Sequence, residues 1–176
     1  MAHALVMGLF ARQGAAADAA RALRSLGIAR ERVSIVARSH DEEVDLAKAS
    51  EASPGVEIED SPVAFRLGEL GAHLLAAVAL VMPGIGTIVA DGPLAASLGE
   101  AAGHLAGGIA RTLHHAGMGE AEAARIEADV EQGNLLVGGH VDESREAEVA
   151  AALTRAGASA VFRTQWPDNQ GDASGV

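Results

Sequence analysis

The residues Ala4-Leu5-Val6-Met7-Gly8-Leu9-Phe10 decide how the rest of the chain is interpreted. This short apolar run is typical of a buried strand. Residues 15–26 then repeat small and apolar side chains at helical spacing and end at Gly27, a common helix C-cap residue. The alternating, β-branched run Val33-Ser34-Ile35-Val36-Ala37-Arg38 predicts a second strand. The chain therefore begins with a βαβ unit.

A second βαβ unit is predicted near the other end of the chain. Leu135–Val141 is a third apolar strand, Asp142 is placed to cap a helix over Glu143–Arg155, and Ala160–Thr164 is a fourth strand. The acidic amphipathic stretch Glu120–Glu131 predicts one more helix before this unit. Two successive βαβ units predict a ferredoxin-like antiparallel sheet covered by helices on one face.

The middle of the chain is more apolar than either end. Val63–Met82 contains almost only Leu, Ala, Val, Gly and Met, and Pro83-Gly84-Ile85-Gly86 follows it as a turn. A second apolar helix is expected from Pro93 to about His115. The sequence thus predicts an α+β fold, a ferredoxin-like antiparallel sheet split by an inserted hydrophobic, Gly/Ala-rich helical hairpin.

These elements divide the chain into five parts. They are the first βαβ half (1–39), an acidic linker (40–61), the helical hairpin insertion (62–117), a helix with the second βαβ half (118–166), and a polar tail expected to be disordered (167–176).

Composition excludes several classes of function. The 176 residues include no cysteine, so disulfides, thiolate metal sites and cysteine nucleophiles are ruled out. Thirteen Lys and Arg face 24 Asp and Glu, and the net charge of -11 argues against binding to nucleic acid. The glycines form no phosphate-binding loop, and no serine lies in a nucleophile elbow. We therefore expect no enzymatic activity.

Three stretches resemble the bacterial general stress protein family, also called the heat-induced stress protein domain, which is largely uncharacterised. They are Val6–Val36, the central run from Met82-Pro83-Gly84-Ile85-Gly86 to Gly92-Pro93-Leu94-Ala95-Ala96, and Gly117–Val137. The central signature is the most specific of the three. The resemblance implies a stress-associated protein with a glycine-zipper-like hydrophobic hairpin, and it implies no catalytic residues.

The pattern L-G-E-x-x-x-H-L occurs once on each predicted hairpin helix. It places Glu69 and His73 on the first helix and Glu100 and His104 on the second. Residues at i and i+4 share a helical face, so packing of the two helices would bring the four side chains together. Such a set suits zinc, iron or manganese. Haem between His73 and His104 is disfavoured because aromatic residues are scarce. The alternatives are a Glu–His contact within each helix, or polar contacts between the two helices that fix their register.

The remaining histidines are expected to have ordinary roles. His114 and His115 would satisfy carbonyls at a helix C-terminus. His40 and His140 are interpreted as surface or strand-end residues, and His3 as part of a frayed terminus.

The first functional hypothesis is a non-enzymatic, stress-associated homo-oligomer that acts as an interaction or scaffold module through its apolar hairpin. The alternatives are a metal-binding protein using the Glu/His set, and a membrane-associated protein or carrier of a hydrophobic ligand. Val63–Met82 is long enough to span a bilayer, but Arg66, Glu69 and His73 interrupt it. We expect a cytoplasmic protein, with peripheral attachment to the membrane as the alternative. Besides further copies of the chain, the partner could be another protein or a lipidic ligand, and the sequence does not decide between them.

Overall fold

The computed structural model describes residues 3–38, 78–82, 86–102 and 108–166. These residues form a mixed fold of strands and helices. The strands are β1 (His3–Phe10), β2 (Val33–Arg38), β3 (Val78–Met82), β4 (Gly86–Asp91), β5 (Leu135–Val141) and β6 (Ala160–Trp166). The α-helices are α1 (Gln13–Ser25), α2 (Pro93–Ala102), α3 (Ile109–His115), α4 (Glu120–Glu131) and α5 (Glu146–Arg155).

The described strands form one six-stranded sheet in the order β3-β4-β2-β5-β1-β6. Every neighbouring pair is antiparallel. β1 and β2 therefore run in the same direction with β5 between them, and α1 connects them. The sheet extends beyond β2 through β4 and β3, which come from the middle of the chain.

Helices cover both faces of this sheet. On one face, which we call the α2 face, Leu5, Met7 and Leu9 of β1 join an apolar cluster with residues of α2, α3 and α4. On the other, the α1 face, Val6 and Phe10 pack with α1 and α5. Both sets of alternate β1 side chains are buried, so each face needs its own apolar layer. The prediction that helices cover only one face was wrong.

The positions of the elements towards the two ends of the chain agree with those predicted from the sequence. β1, α1, β2, α4 and β5 lie within a few residues of their predicted bounds, and β6 continues to Trp166. The predicted cap at Asp142 is wrong, because its side chain makes no capping hydrogen bond. A 3₁₀ turn over Glu143–Arg145 comes first, and α5 begins at Glu146.

The middle of the chain differs from the predicted helical hairpin. Residues 78–82 are strand β3 rather than the end of a helix, and residues 86–91 are strand β4. β4 pairs with β2, so this segment extends the sheet. Residues predicted as one second helix form two, α2 and α3. The first part of the predicted hairpin (62–77), the linker (40–61) and the tail (167–176) lie outside the described residues.

Gly92 allows the chain to turn from β4 into α2. Its φ is +81°, in the left-handed region that side chains disfavour. A Cβ atom at this position would lie only 2.1 Å from the carbonyl oxygen of Val33 in β2. Because the obstacle is backbone, no side-chain rotation relieves it. Glycine is therefore required where α2 docks against β2.

We predict that Gly92→Ala lowers the free energy of unfolding by at least about 3 kcal/mol, from the left-handed backbone and the clash with Val33 together. Gly99→Ala is the matched control, because a Cβ atom there meets no atom within 4 Å. It should be neutral or stabilising by about 0.5–1 kcal/mol. Urea unfolding measures both; equal effects of the two variants would contradict the close approach at Gly92.

Candidate functional site

The predicted metal ligands fall largely outside the described part of the chain. Glu69, His73 and His104 lie outside the described residues. Glu100 belongs to α2, but its side chain is not among those described. Within residues 3–38, 78–82, 86–102 and 108–166, no group of three or more His, Asp or Glu side chains is placed to hold a metal ion. The Glu/His metal site stays a prediction.

A different polar cluster lies on the α2 face of the sheet. It consists of His3, Ser34, His140 and Trp166, and we call it the His140 cluster. Strand register brings it together: His140 lies opposite Leu5, and His3, two residues before Leu5, lies opposite Trp166. Because residues two apart on a strand share a face, His3 and His140 become diagonal neighbours.

Hydrogen bonds join this cluster to the start of α2. The backbone N–H of Leu94 donates to Ser34 Oγ at 3.1 Å. Ser34 Oγ lies 2.8 Å from His140 Nε2, and His140 Nδ1 lies 3.0 Å from His3 Nε2. One of the proton assignments that satisfy these contacts has the Ser34 hydroxyl donating to Nε2 and His140 Nδ1–H donating to His3. A directional chain then runs from α2 to the half-buried His3.

The surroundings of His140 favour its neutral form. The residue is 1% exposed, and the Trp166 ring packs edge-on to the imidazole, with centroids 5.3 Å apart. Burial, and to a smaller extent the nearby His3 and Arg32, lowers the pKa of His140 from 6.5 to about 3. The imidazole is therefore uncharged at neutral pH, as the proton assignment above requires.

The order serine, imidazole and second imidazole matches that of a catalytic triad. Two observations argue against catalysis by Ser34. Its side chain is buried, with the residue 1% exposed, so a substrate does not reach it in this conformation. An imidazole whose pKa is about 3 is also a weak general base at neutral pH. The contacts instead fasten β1, β2, β5 and α2 to one another.

The expectations for these histidines need correction. His140 does lie near the end of β5, but it is buried and not at the surface. His3 is the first residue of β1 rather than part of a frayed end. The alternation of Leu136, Gly138 and His140 along β5 was the available signal, since it places His140 on the same face as a core leucine.

His114 and His115 are exposed at the end of α3. The Nδ1 atom of His114 lies 3.1 Å from the carbonyl oxygen of Met118, in the turn that follows. Because Met118 follows the helix, this contact is not made with one of the last carbonyls of α3, and the role expected for the two histidines stays a prediction. His40 lies outside the described residues.

Comparisons with protein-family models, curated proteins and solved structures gave no match. The resemblance to the general stress protein family therefore stays a prediction. Among the described helices, none is both long and apolar enough to cross a bilayer.

We predict that Ser34→Ala lowers the free energy of unfolding by about 2–3 kcal/mol, because it leaves the buried Leu94 N–H and His140 Nε2 without their hydroxyl partner. Ser25→Ala is the control: the Ser25 hydroxyl also bonds a backbone group, in this case by donating to the carbonyl of Arg21, but at an exposed site. Its effect should stay within about 0.5 kcal/mol. Chemical denaturation of both variants measures the difference, and equal losses would contradict the role of Ser34.

We further predict that stability falls as the pH is lowered from 6.5 towards 3. The folded pKa of His140 is depressed, so the unfolded chain binds a proton in this range that the folded protein does not bind. The His140 contribution amounts to about 2 kcal/mol between pH 7 and pH 5. Urea unfolding in EDTA, followed by Trp166 fluorescence, measures the slope. It should decrease in His140→Gln and persist in His115→Gln; an unchanged slope in His140→Gln would contradict the assignment.

Proposed function

We propose that the protein is a non-enzymatic, stress-associated interaction module that works as a homo-oligomer. The observation that carries this proposal is the edge strand β3. β3 pairs with β4 on one side, and no described strand pairs with its other side. Its sequence, Val78-Ala79-Leu80-Val81-Met82, contains no charged residue and no proline.

An unpaired edge strand offers a row of backbone N–H and C=O groups to another strand. Proteins that stay monomeric commonly guard such edges with charged residues or proline. The opposite edge of this sheet follows that pattern, because β6 carries the exposed, charged residue Arg163, followed by the exposed, polar Gln165. β3 lacks these devices. Antiparallel pairing of β3 with β3 of a second copy is self-complementary and closes a twofold dimer.

We also propose that β1, β2, β5 and β6 form a ferredoxin-like core with α1 and α5. The order β2-β5-β1-β6, with antiparallel neighbours, supports this interpretation, and α1 and α5 lie on the same face. β3, β4, α2 and α3 then form the segment inserted between the two halves.

The stress association rests on the resemblance carried by the central signature. Within this signature, Met82 ends β3, Gly86–Ala90 belong to β4, and Gly92 begins the turn into α2. The most specific part of the resemblance therefore overlaps β3 and β4, the two strands at this edge of the described sheet. This coincidence supports an interaction role for that segment.

Size-exclusion chromatography with light scattering tests the proposal. The wild-type protein should elute as an oligomer whose mass falls on dilution. Ala79→Lys places a charge within the β3 edge, and we expect it to weaken association at least tenfold. Gln165→Lys adds the same charge at the β6 edge and should leave association unchanged. Circular dichroism confirms that both variants are folded.

Two outcomes would overturn the proposal. One is a wild-type protein that remains a monomer at every concentration tested. The other is an oligomer that Gln165→Lys weakens as much as Ala79→Lys, since this would show that net charge rather than the β3 edge controls association.

A further inference from the structure

Two imidazole nitrogens of the His140 cluster face each other across strands β1 and β5. His3 Nε2 and His140 Nδ1 are 3.0 Å apart, and the ring planes are inclined by 60°. Two imidazole nitrogens bound to one transition-metal ion, at about 2.0–2.1 Å each and at right-angled to tetrahedral geometry, lie roughly 2.9–3.4 Å apart. The pair thus has the spacing of two adjacent metal ligands.

Metal-bound histidines commonly make a hydrogen bond through the ring nitrogen that does not bind the ion, and Ser34 is placed to be the partner of this bond. When Nδ1 of His140 binds an ion, the ring proton moves to Nε2, which then donates to Ser34 Oγ. The same oxygen already accepts the N–H of Leu94, and a hydroxyl oxygen accepts two hydrogen bonds. Metal binding therefore keeps the hydrogen bond between His140 and Ser34 and keeps the start of α2 capped.

The chemistry of the site selects a strongly binding ion. Among the described side chains, no group of three or more His, Asp or Glu is placed to hold an ion, so the two imidazoles bind it without a third such ligand. The cationic Arg32, which helps to lower the pKa of His140, also disfavours a bound cation, so the ion must have a high affinity for imidazole. Among the divalent first-row ions, Cu²⁺ binds imidazole most strongly. His3 is only half-buried, so water molecules can complete the coordination from its side.

We propose that His3 Nε2 and His140 Nδ1 form a copper(II) site, with Ser34 as the positioning residue that orients His140. This site is separate from the Glu/His set predicted from the sequence, and it does not depend on the oligomeric function proposed above.

Trp166 provides the readout. It is the only tryptophan of the chain, which contains no tyrosine, and its ring centroid lies 5.3 Å from that of His140. Cu²⁺ bound between His3 and His140 should therefore quench the intrinsic fluorescence. The titration uses CuCl₂ at neutral pH with untagged, EDTA-treated and desalted protein carrying His114→Gln and His115→Gln. These substitutions remove an exposed pair of histidines that would compete for the ion.

We expect saturable quenching at one ion per chain. His3→Gln and His140→Gln, each added to the protein that carries His114→Gln and His115→Gln, should weaken copper binding at least tenfold. Ser34→Ala should weaken it about tenfold, because the hydrogen bond that orients His140 is lost. Thr154→Ala is the control for hydroxyl removal, because its hydroxyl bonds the carbonyl of Ala150 on the other face of the protein. It should bind copper as the background protein does.

Quenching that does not saturate would overturn the proposal. So would binding that is lost in His3→Gln but retained in His140→Gln, because the ion would then be held by His3 and the chain before it. If His140→Gln does not fold, long-range ¹H–¹⁵N spectra of the background protein decide the question. Copper should broaden the imidazole signals of both His3 and His140, and broadening of His3 alone would contradict the pair.

Discussion

The hydroxyl of Ser34 makes the hydrogen bonds on which the rest of the arrangement depends. It accepts the N–H of Leu94 at the start of α2 and bonds His140 in β5. A buried backbone N–H needs a partner, and helices commonly obtain one from the side chain of their own N-cap residue. Here that position is Gly92, which must be glycine because the turn has a positive φ and passes close to Val33. Because residue 92 cannot carry a capping side chain, the N–H of Leu94 needs a partner from another element, and the Ser34 hydroxyl of β2 provides it.

α3 begins in the same way. Gly108 precedes it and offers no capping side chain, and the carboxylate of Glu127 in α4 accepts the N–H of Ala110 at 2.8 Å. The two helices that follow β4 are therefore both capped by residues from other elements. Contacts with β2 and α4 thus supply the capping groups that neither helix has in its own sequence, although Pro93 itself marks the start of α2 in the sequence. This dependence ties the middle of the chain to the outer elements without a large number of polar side chains.

The difference between elements specified by their own sequence and elements that depend on contacts with others explains which parts of the fold could be predicted. β1, α1, β2, α4 and β5 carry their own periodicity and glycine stops, so local patterns located them. Residues 78–91 carry almost no polar residues, and an apolar run without polar residues has no period that separates a buried strand from a buried helix. β4 is a strand because it pairs with β2, and this pairing joins residues that are far apart in the sequence, so no local pattern predicts it. The site of Glu69, His73, Glu100 and His104 was inferred from two helices that face each other across a turn within residues 82–93. In the structure residues 78–82 and 86–91 are strands β3 and β4, so the helical hairpin no longer provides a reason to pair these positions.

His140 also resolves a problem of strand register. β5 contains Gly138 and Gly139, and glycine-rich strands specify their register weakly because few side chains distinguish one alignment from the next. Gly138 is needed, since a Cβ atom at this residue would lie 2.8 Å from Met7 Cγ. A slip of one residue would turn His140 to the α1 face, away from Ser34 and His3, and would bury an imidazole without partners. The His140 cluster therefore fixes the register of β5, which the glycine required by the close packing of β1 and β5 would otherwise leave weakly specified. A histidine in an otherwise apolar layer is explained by this role whether or not a metal ion binds beside it.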